Sequence, residues 1–226
     1  MKKVITVLAA IMISAMSFAQ FSIGIQGIAN LSNAKTNTEG VLNAVKSGIL
    51  LPGVGVVAEI SLGKNLSVRP GVNYLQQGFK LKGEISGDLE GGASYAKFEG
   101  KNTLSYIQLP VNVVYSIPLG KNQVQVGAGA YTGYGITGKS KMTIILDDHE
   151  VEGGTMEENP FKKGGEGAGL KRSDFGVNAL AGIRFSNGFF ANLGYQLGIS
   201  DISGDDDGGY KNRGVQLTIG YFFRNK

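Results

Sequence analysis

The sequence contains no cysteine, no tryptophan, one histidine and only five prolines. Without cysteine it forms no disulfide, has no thiol nucleophile and offers no Cys-ligated zinc site. Charge of neither sign dominates: 22 Lys and Arg stand against 18 Asp and Glu. That balance is too even to point to a nucleic-acid partner. No internal stretch sustains a helical period long enough to outweigh a strand pattern. Glycine, in contrast, is abundant at 36 of 226 residues, about twice the ordinary usage of roughly 7%. No Gly-X-Y period accompanies it, which excludes a collagen-like chain. Glycine at this level within strands signals curvature and close backbone approach.

The first residues, MKKVITVLAAIMISAMSFAQ, have the three parts of a secretory signal. Lys2 and Lys3 are the positive region, Val4 to Met16 the apolar region, and Ser17-Phe18-Ala19 the small-x-small site before Gln20. The apolar run is shorter than the roughly 18–20 residues of a spanning helix. We expect residues 1–19 to be a cleaved signal peptide and residues 20–226 to form one domain.

That domain reads as eight segments with period-2 alternation, at about 20–29, 53–62, 66–76, 105–117, 123–136, 174–185, 189–199 and 214–224. One face of the segments is apolar, for example Val54, Val56, Ile60, Leu109, Val111, Val113, Leu193, Tyr195, Leu217 and Ile219. No charged residue falls on it, although a charge facing mid-bilayer costs roughly 2–4 kcal/mol. The other face carries Gln26, Glu59, Arg69, Asn73, Gln108, Asn112, Asn178, Arg184, Asn192, Gln196 and Gln216. A soluble barrel wets its polar face, whereas a membrane barrel turns it inward. The connections favour the membrane. Gly63-Lys64-Asn65, Gly120-Lys121 and Ser186-Asn187-Gly188 are tight turns, and the alternate connections are long and polar. Aromatics gather near strand ends, including Phe185, Phe189, Tyr221 and Phe223 at the short turns and Tyr74 and Phe175 at the other end. The expected fold is therefore all-β: an eight-stranded antiparallel up-and-down transmembrane β-barrel in the outer membrane. With an even strand number, both termini lie on the short-turn, periplasmic side.

Centring the second hairpin on Lys64 sets Glu59 opposite Arg69, both inward. These two residues, with Arg184 near the same mouth, are expected to form a lumen ion network of structural role. Pro70 and Pro110 sit inside strands, where each removes a ladder donor, so a bulge or kink is expected near each.

Five stretches resemble the PorT-type outer-membrane β-barrel family: LSYIQLPVNVVYSI (104–117), QVGAGAYTGYGITG (125–138), KRSDFGVNALAGIRF (171–185), ANLGYQLGISDIS (191–203) and QLTIGYFF (216–223). The resemblance implies an outer-membrane protein with an eight-stranded barrel, and a relation to a component of an apparatus that exports proteins to the cell surface. The chain departs from many outer-membrane barrels in ending FFRNK rather than on an aromatic residue.

No residue set points to catalysis, a cofactor or a resident metal. His149, between Asp148 and Glu150, lacks a second histidine and a fixed nucleophile, so a solvated loop is expected there. The contiguous acids of SGDDDGG (203–209) do not alternate as in a calcium loop and read as a solvated tip. GVGVVAE (53–59) imitates a dinucleotide fingerprint, but a strand runs through it.

Segments beyond strands 3 to 5 keep alternating, so strands 3 to 6 are expected to protrude as a sheet above the membrane. Ile144, Ile145 and Leu146 would lie near its rim as a partner-binding strand, through β-augmentation. The expected partners are outer-membrane lipids and an envelope protein met by the extracellular loops, with the barrel itself monomeric. The expected role is a non-enzymatic scaffold or surface-interaction module, accessory to a secretion or uptake assembly. The alternative is a narrow passive channel for small solutes.

Overall fold

A computed structural model describes residues 21–36, 45–86, 95–146, 149–161, 169–204 and 209–223. The leader, Asp147 and Asp148, Asp205 to Gly208 and residues 224–226 lie outside the described residues. Ten strands follow one another: β1 (Phe21–Thr36), β2 (Val45–Ser47), β3 (Ile49–Ser61), β4 (Leu66–Ser86), β5 (Tyr95–Leu119), β6 (Asn122–Leu146), β7 (His149–Glu158), β8 (Ser173–Arg184), β9 (Phe189–Gly198) and β10 (Tyr210–Phe222).

Eight of them close a ring of antiparallel neighbours, β1–β3–β4–β5–β6–β8–β9–β10, and β10 returns to β1. The topology is up-and-down, and closure leaves the ring without an edge. The two remaining strands lie at the long-loop end. β2 pairs with the upper part of β4, and β7 pairs with the upper part of β6. Three ring strands run past the segments 66–76, 105–117 and 123–136: β4 has 21 residues, and β5 and β6 have 25 each. The sixth segment does not join this extension, because β8 begins at Ser173 and β7 takes its place beside the upper part of β6. Their upper halves pair with one another well past the rest of the ring, from Ser86 opposite Tyr95 and from Ala96 opposite Leu146. His149 and Glu150 open β7 and are not part of a loop, because they pair with Leu146 and Ile145 of β6.

The wall is inside out relative to a soluble barrel. Ile23, Ile25, Val54, Val56, Leu109, Val111, Leu193, Tyr195, Leu217 and Ile219 are exposed, while Asn73, Gln108, Asn112, Gln125, Asn192 and Gln196 are buried. Both follow from the period of two, which sends successive side chains to opposite faces. Phe189 and Tyr221 lie with ring centroids 5.0 Å apart, and Tyr221 and Phe223 5.5 Å apart, forming a short-turn aromatic belt. Tyr134 and Phe175 are exposed at the other end of the wall. Gly120 and Gly188 hold positive φ values of 60° and 98° at two of the short turns, a conformation glycine adopts without steric cost.

The prolines do not shift the register. Pro70 stands opposite Val111 and Pro110 opposite Tyr131, in frame with the pairs around them. Gly71 lies beside the Pro110 ring, where a Cβ would make an ordinary contact at 3.4 Å and a tighter one, at 3.1 Å, with the Val56 carbonyl. The irregularity in the β5–β6 pair falls higher up. Tyr106 pairs with Gly135 and Ser105 with Thr137, so Ile136 is an extra residue. Arg172 caps this bulge by donating from Nη1 to the Gly135 carbonyl at 2.7 Å and to the Ile136 carbonyl at 3.2 Å.

Candidate functional site: a lumen closed at two levels

An eight-stranded ring is only wide enough to be filled by its own side chains, so what fills it decides what it can do. At the short-turn end a vestibule of about 1160 Å³ opens between Lys64, Lys121, Glu59 and Arg184. Its roof is charged. The β3–β4 pairs Val57–Gly71 and Ile60–Val68 centre the hairpin on Lys64, as the turn sequence requires. That register brings Arg69 onto Glu59, with Nε donating to Oε2 at 2.8 Å and Nη2 donating to the same oxygen. Arg184, from the foot of β8, donates through Nη1 to Oε1 of the same carboxylate. The three predicted lumen residues are thus brought together, with Glu59 6% and Arg69 4% exposed.

Two guanidinium groups on one carboxylate leave a surplus positive charge. Aromatic faces take part of it. The Arg69 guanidinium lies 5.2 Å from the Phe222 ring and 5.9 Å from Phe190, and Arg184 lies 4.6 Å from Phe222. Each such contact is worth about 0.5–2 kcal/mol, more where water is excluded. Phe190 and Phe222 stack with Val57 as a buried cluster directly at this level. Phe190 fits because Gly220 faces it: a Cβ there would come within 2.4 Å of the ring tip.

Above this layer lies a chamber of about 70 Å³, room for about two water molecules. Asn73, Gln108, Asn112, Gln196 and Gln216 line it, and Gln26 donates to Asn73 at 2.8 Å while Gln216 donates to Gln196 at 2.6 Å. Higher still, Asp174 is 1% exposed. Its carboxylate accepts from Ser200 at 2.7 Å, Asn212 at 3.0 Å and Tyr131 at 3.4 Å.

The long-loop mouth is closed by a second, apolar layer of Ala34, Leu104, Tyr106, Phe161, Ile202 and Tyr210. Phe161 enters from the segment after β7 and meets Tyr106 edge-on at 6.0 Å. Gly135 makes its seat, since a Cβ there would come within 2.3 Å of the Phe161 ring. The backbone around it is tied down by Leu170 donating to Pro160, Lys171 to Ile202 and Ile202 to Tyr210, at 2.7, 2.8 and 2.9 Å.

The second predicted group behaves differently. Ile145 and Leu146 pair on both sides, with Lys97 and Ala96 of β5 and with Glu150 and His149 of β7. Ile144 pairs with Phe98 and lies at a register shift toward β7. Their ladder positions are therefore filled, and the outer position passes to β7. The inward aromatics Phe190, Phe222, Tyr106 and Tyr131 and the buried Asp174 went unforeseen, although alternation gives all five the same inward parity as the polar residues beside them.

A sequence profile described as outer membrane protein beta-barrel domain matches residues 18–204. The chain belongs to this family. Its apolar wall accordingly faces lipid, and it resides in the outer membrane. Neisserial surface protein A is 10% identical, with 91% of this chain and 99% of that one covered at a TM-score of 0.42. Ail, the attachment invasion locus protein of Yersinia pestis, is 17% identical, with 90% and 97% covered at 0.41. OprG from Pseudomonas aeruginosa is 13% identical, with 91% and 96% covered at 0.43. No functionally curated protein matches the chain.

Proposed function

We propose that the protein is a non-conducting, non-enzymatic anchor of the outer membrane: a scaffold or surface-interaction module of PorT type, accessory to a secretion or uptake assembly. In this reading the leader is removed, both termini lie in the periplasm and the long β4–β5–β6 extension stands outside the cell. The observation that carries it is the double closure of the lumen. A solute entering the vestibule meets the buried Glu59–Arg69–Arg184 group backed by Phe190 and Phe222. Beyond the small chamber it meets the Leu104, Tyr106, Phe161, Ile202 and Tyr210 layer. A passive channel would need both to open together. The extension then carries the contacts, with β7 and β2 as its outer strands and β-augmentation as a mode of partner capture.

Planar-bilayer recording tests the closure: the purified protein gives no conductance steps, and steady conductance overturns the reading. Brief crosslinking on native membranes followed by mild-detergent extraction tests the partner. A stoichiometric envelope protein retained through the extension supports the scaffold role, and a barrel that always emerges alone counts against it.

A further inference from the structure

The near-zero net charge conceals a local concentration of one sign. Lys80 on β4, Lys101 on β5 and Lys141 on β6 stand directly opposite one another on neighbouring strands. All three are exposed and share the outward parity of Val72, Ile107 and Leu109 lower on β4 and β5. Ile136 bulges out as an extra residue, so the ladder keeps its frame and Lys141 faces out with Lys101. Cross-strand neighbours lie about 4.5–5.5 Å apart at Cβ, and like charges placed there are destabilising. One rung further up, the same strands place unlike charges together: Lys82 Nζ meets Glu99 Oε1 at 2.6 Å. The rung below adds Lys139 opposite Thr103. Among the described side chains the acids on this face are Glu84 and Glu99, and Lys141 pairs in register with Glu157 of β7. Lysine on a sheet surface commonly guards an open edge against pairing. Lys101 has no such task, because β5 is paired on both sides along this stretch.

The position of the row selects its ligand. It lies on the outer wall, in line with the lipid-facing residues and not over the lumen. Lys80 is six positions beyond Tyr74, roughly 20 Å along the strand and about 15 Å along the axis of a ring tilted by 35–45°. A phospholipid headgroup layer is only about 5–8 Å deep, so the row clears it. A lipid whose phosphates are carried on sugars above the acyl chains reaches that height.

We propose that Lys80, Lys101 and Lys141 form a docking surface for the phosphorylated saccharide headgroup of an outer-leaflet glycolipid. The phosphate sits among the three ammonium groups, relieves their repulsion and braces the projecting sheet against the membrane. The proposal rests on the reading that the long-loop end faces outward, and the two are tested separately. For orientation, the chain's lack of cysteine makes M142C a unique label site: reaction with an impermeant maleimide on intact cells places the extension outside, and no reaction overturns that reading.

For the surface, the full chain is reconstituted in nanodiscs of phospholipid with a phosphorylated lipopolysaccharide, and lipid retained after detergent exchange is counted by native mass spectrometry. The expected result is retention by the native chain and about a tenfold loss in the K80Q/K101Q/K141Q variant, with a similar loss at high salt. K64Q/K121Q, at the short turns, retains lipid like the native chain. Equal retention by the triple variant overturns the proposal. So does equal retention of the enzymatically dephosphorylated glycolipid, or competition by soluble inositol hexaphosphate at lower concentration than by the glycolipid. An unchanged urea-unfolding midpoint for the triple variant in phospholipid alone shows that a loss of retention is not a loss of fold.

Discussion

The two closures of the lumen are built on different principles. The lower one is made of strand residues whose partners are fixed by register: Glu59 meets Arg69 because a turn centred on Lys64 sets them opposite each other. It is charged, and it is held by hydrogen bonds and by the faces of Phe190 and Phe222. The upper one is apolar and joins ring residues to segments outside the ring. Phe161 and Ile202 reach the mouth from connections between strands and are held there by backbone bonds among those connections. One is a property of the cylinder, and the other is a lid assembled from its loops.

This contrast also separates what the sequence makes legible from what it hides. Alternation and turn chemistry give the ring, its apolar wall, and Glu59, Arg69 and Arg184 together, because each is a local consequence of period two. Phe190 and Phe222 are legible by the same rule, but they stand inside runs of aromatics, Phe189-Phe190 and Tyr221-Phe222-Phe223, whose outward members dominate the impression. Phe161 and Ile202 carry no periodic signal, and only the path of two long connections brings them together. The prolines mislead for a related reason. Each removes a donor, but the pairs around it keep their frame, and the bulge forms at Ile136 instead.

Breaking the lower closure should have the largest effect. Glu59→Gln leaves Arg69 and Arg184 without their shared carboxylate, and we expect a loss of about 3–5 kcal/mol in urea unfolding from lipid vesicles. Replacing all three by Glu59→Leu, Arg69→Met and Arg184→Met should recover most of it, since an apolar set removes the uncompensated charge. A triple variant weaker than the single one would contradict the ion-network account. Phe161→Ala in the upper closure should cost about 3 kcal/mol, the low end of the range for a buried phenylalanine. Its damage should stay local: amide exchange should quicken around Tyr106 and Tyr210 while β3, β4 and β8 keep their protection.

A smaller effect is expected from Gly220→Ala. The new Cβ collides with the tip of the Phe190 ring and as closely with the Ile25 backbone carbonyl, and costs about 1–3 kcal/mol as overpacking; adding Phe190→Leu relieves only the ring's share. The smallest concerns Asp201, which accepts from the Tyr210 amide at 2.8 Å and the Ser203 amide at 2.9 Å. Desolvation pushes its carboxyl up, but these amides outweigh it and hold it below the usual carboxylate range. The loop's contribution is therefore complete above the ordinary carboxylate pKa and fades as pH falls through the lower, folded one. The Tyr210 and Ser203 amide resonances should titrate together with a midpoint below that of a free Asp side chain, about 3.9. In Asp201→Asn they should not titrate.

The single extra residue at Ile136 works as a change of reading frame in the third dimension. Below it, even-numbered positions of β6 look toward lipid; above it, odd-numbered ones look outward. Deleting that one residue would leave a regular ladder, with Gly135 still opposite Tyr106, Thr137 still opposite Ser105, and Lys139 and Lys141 still facing out. Flattening the bulge with Ile136 retained would instead turn both lysines inward and bring Gly138 and Ser140 out, so the facing of the crown hangs on one kink that the foot of the barrel does not feel.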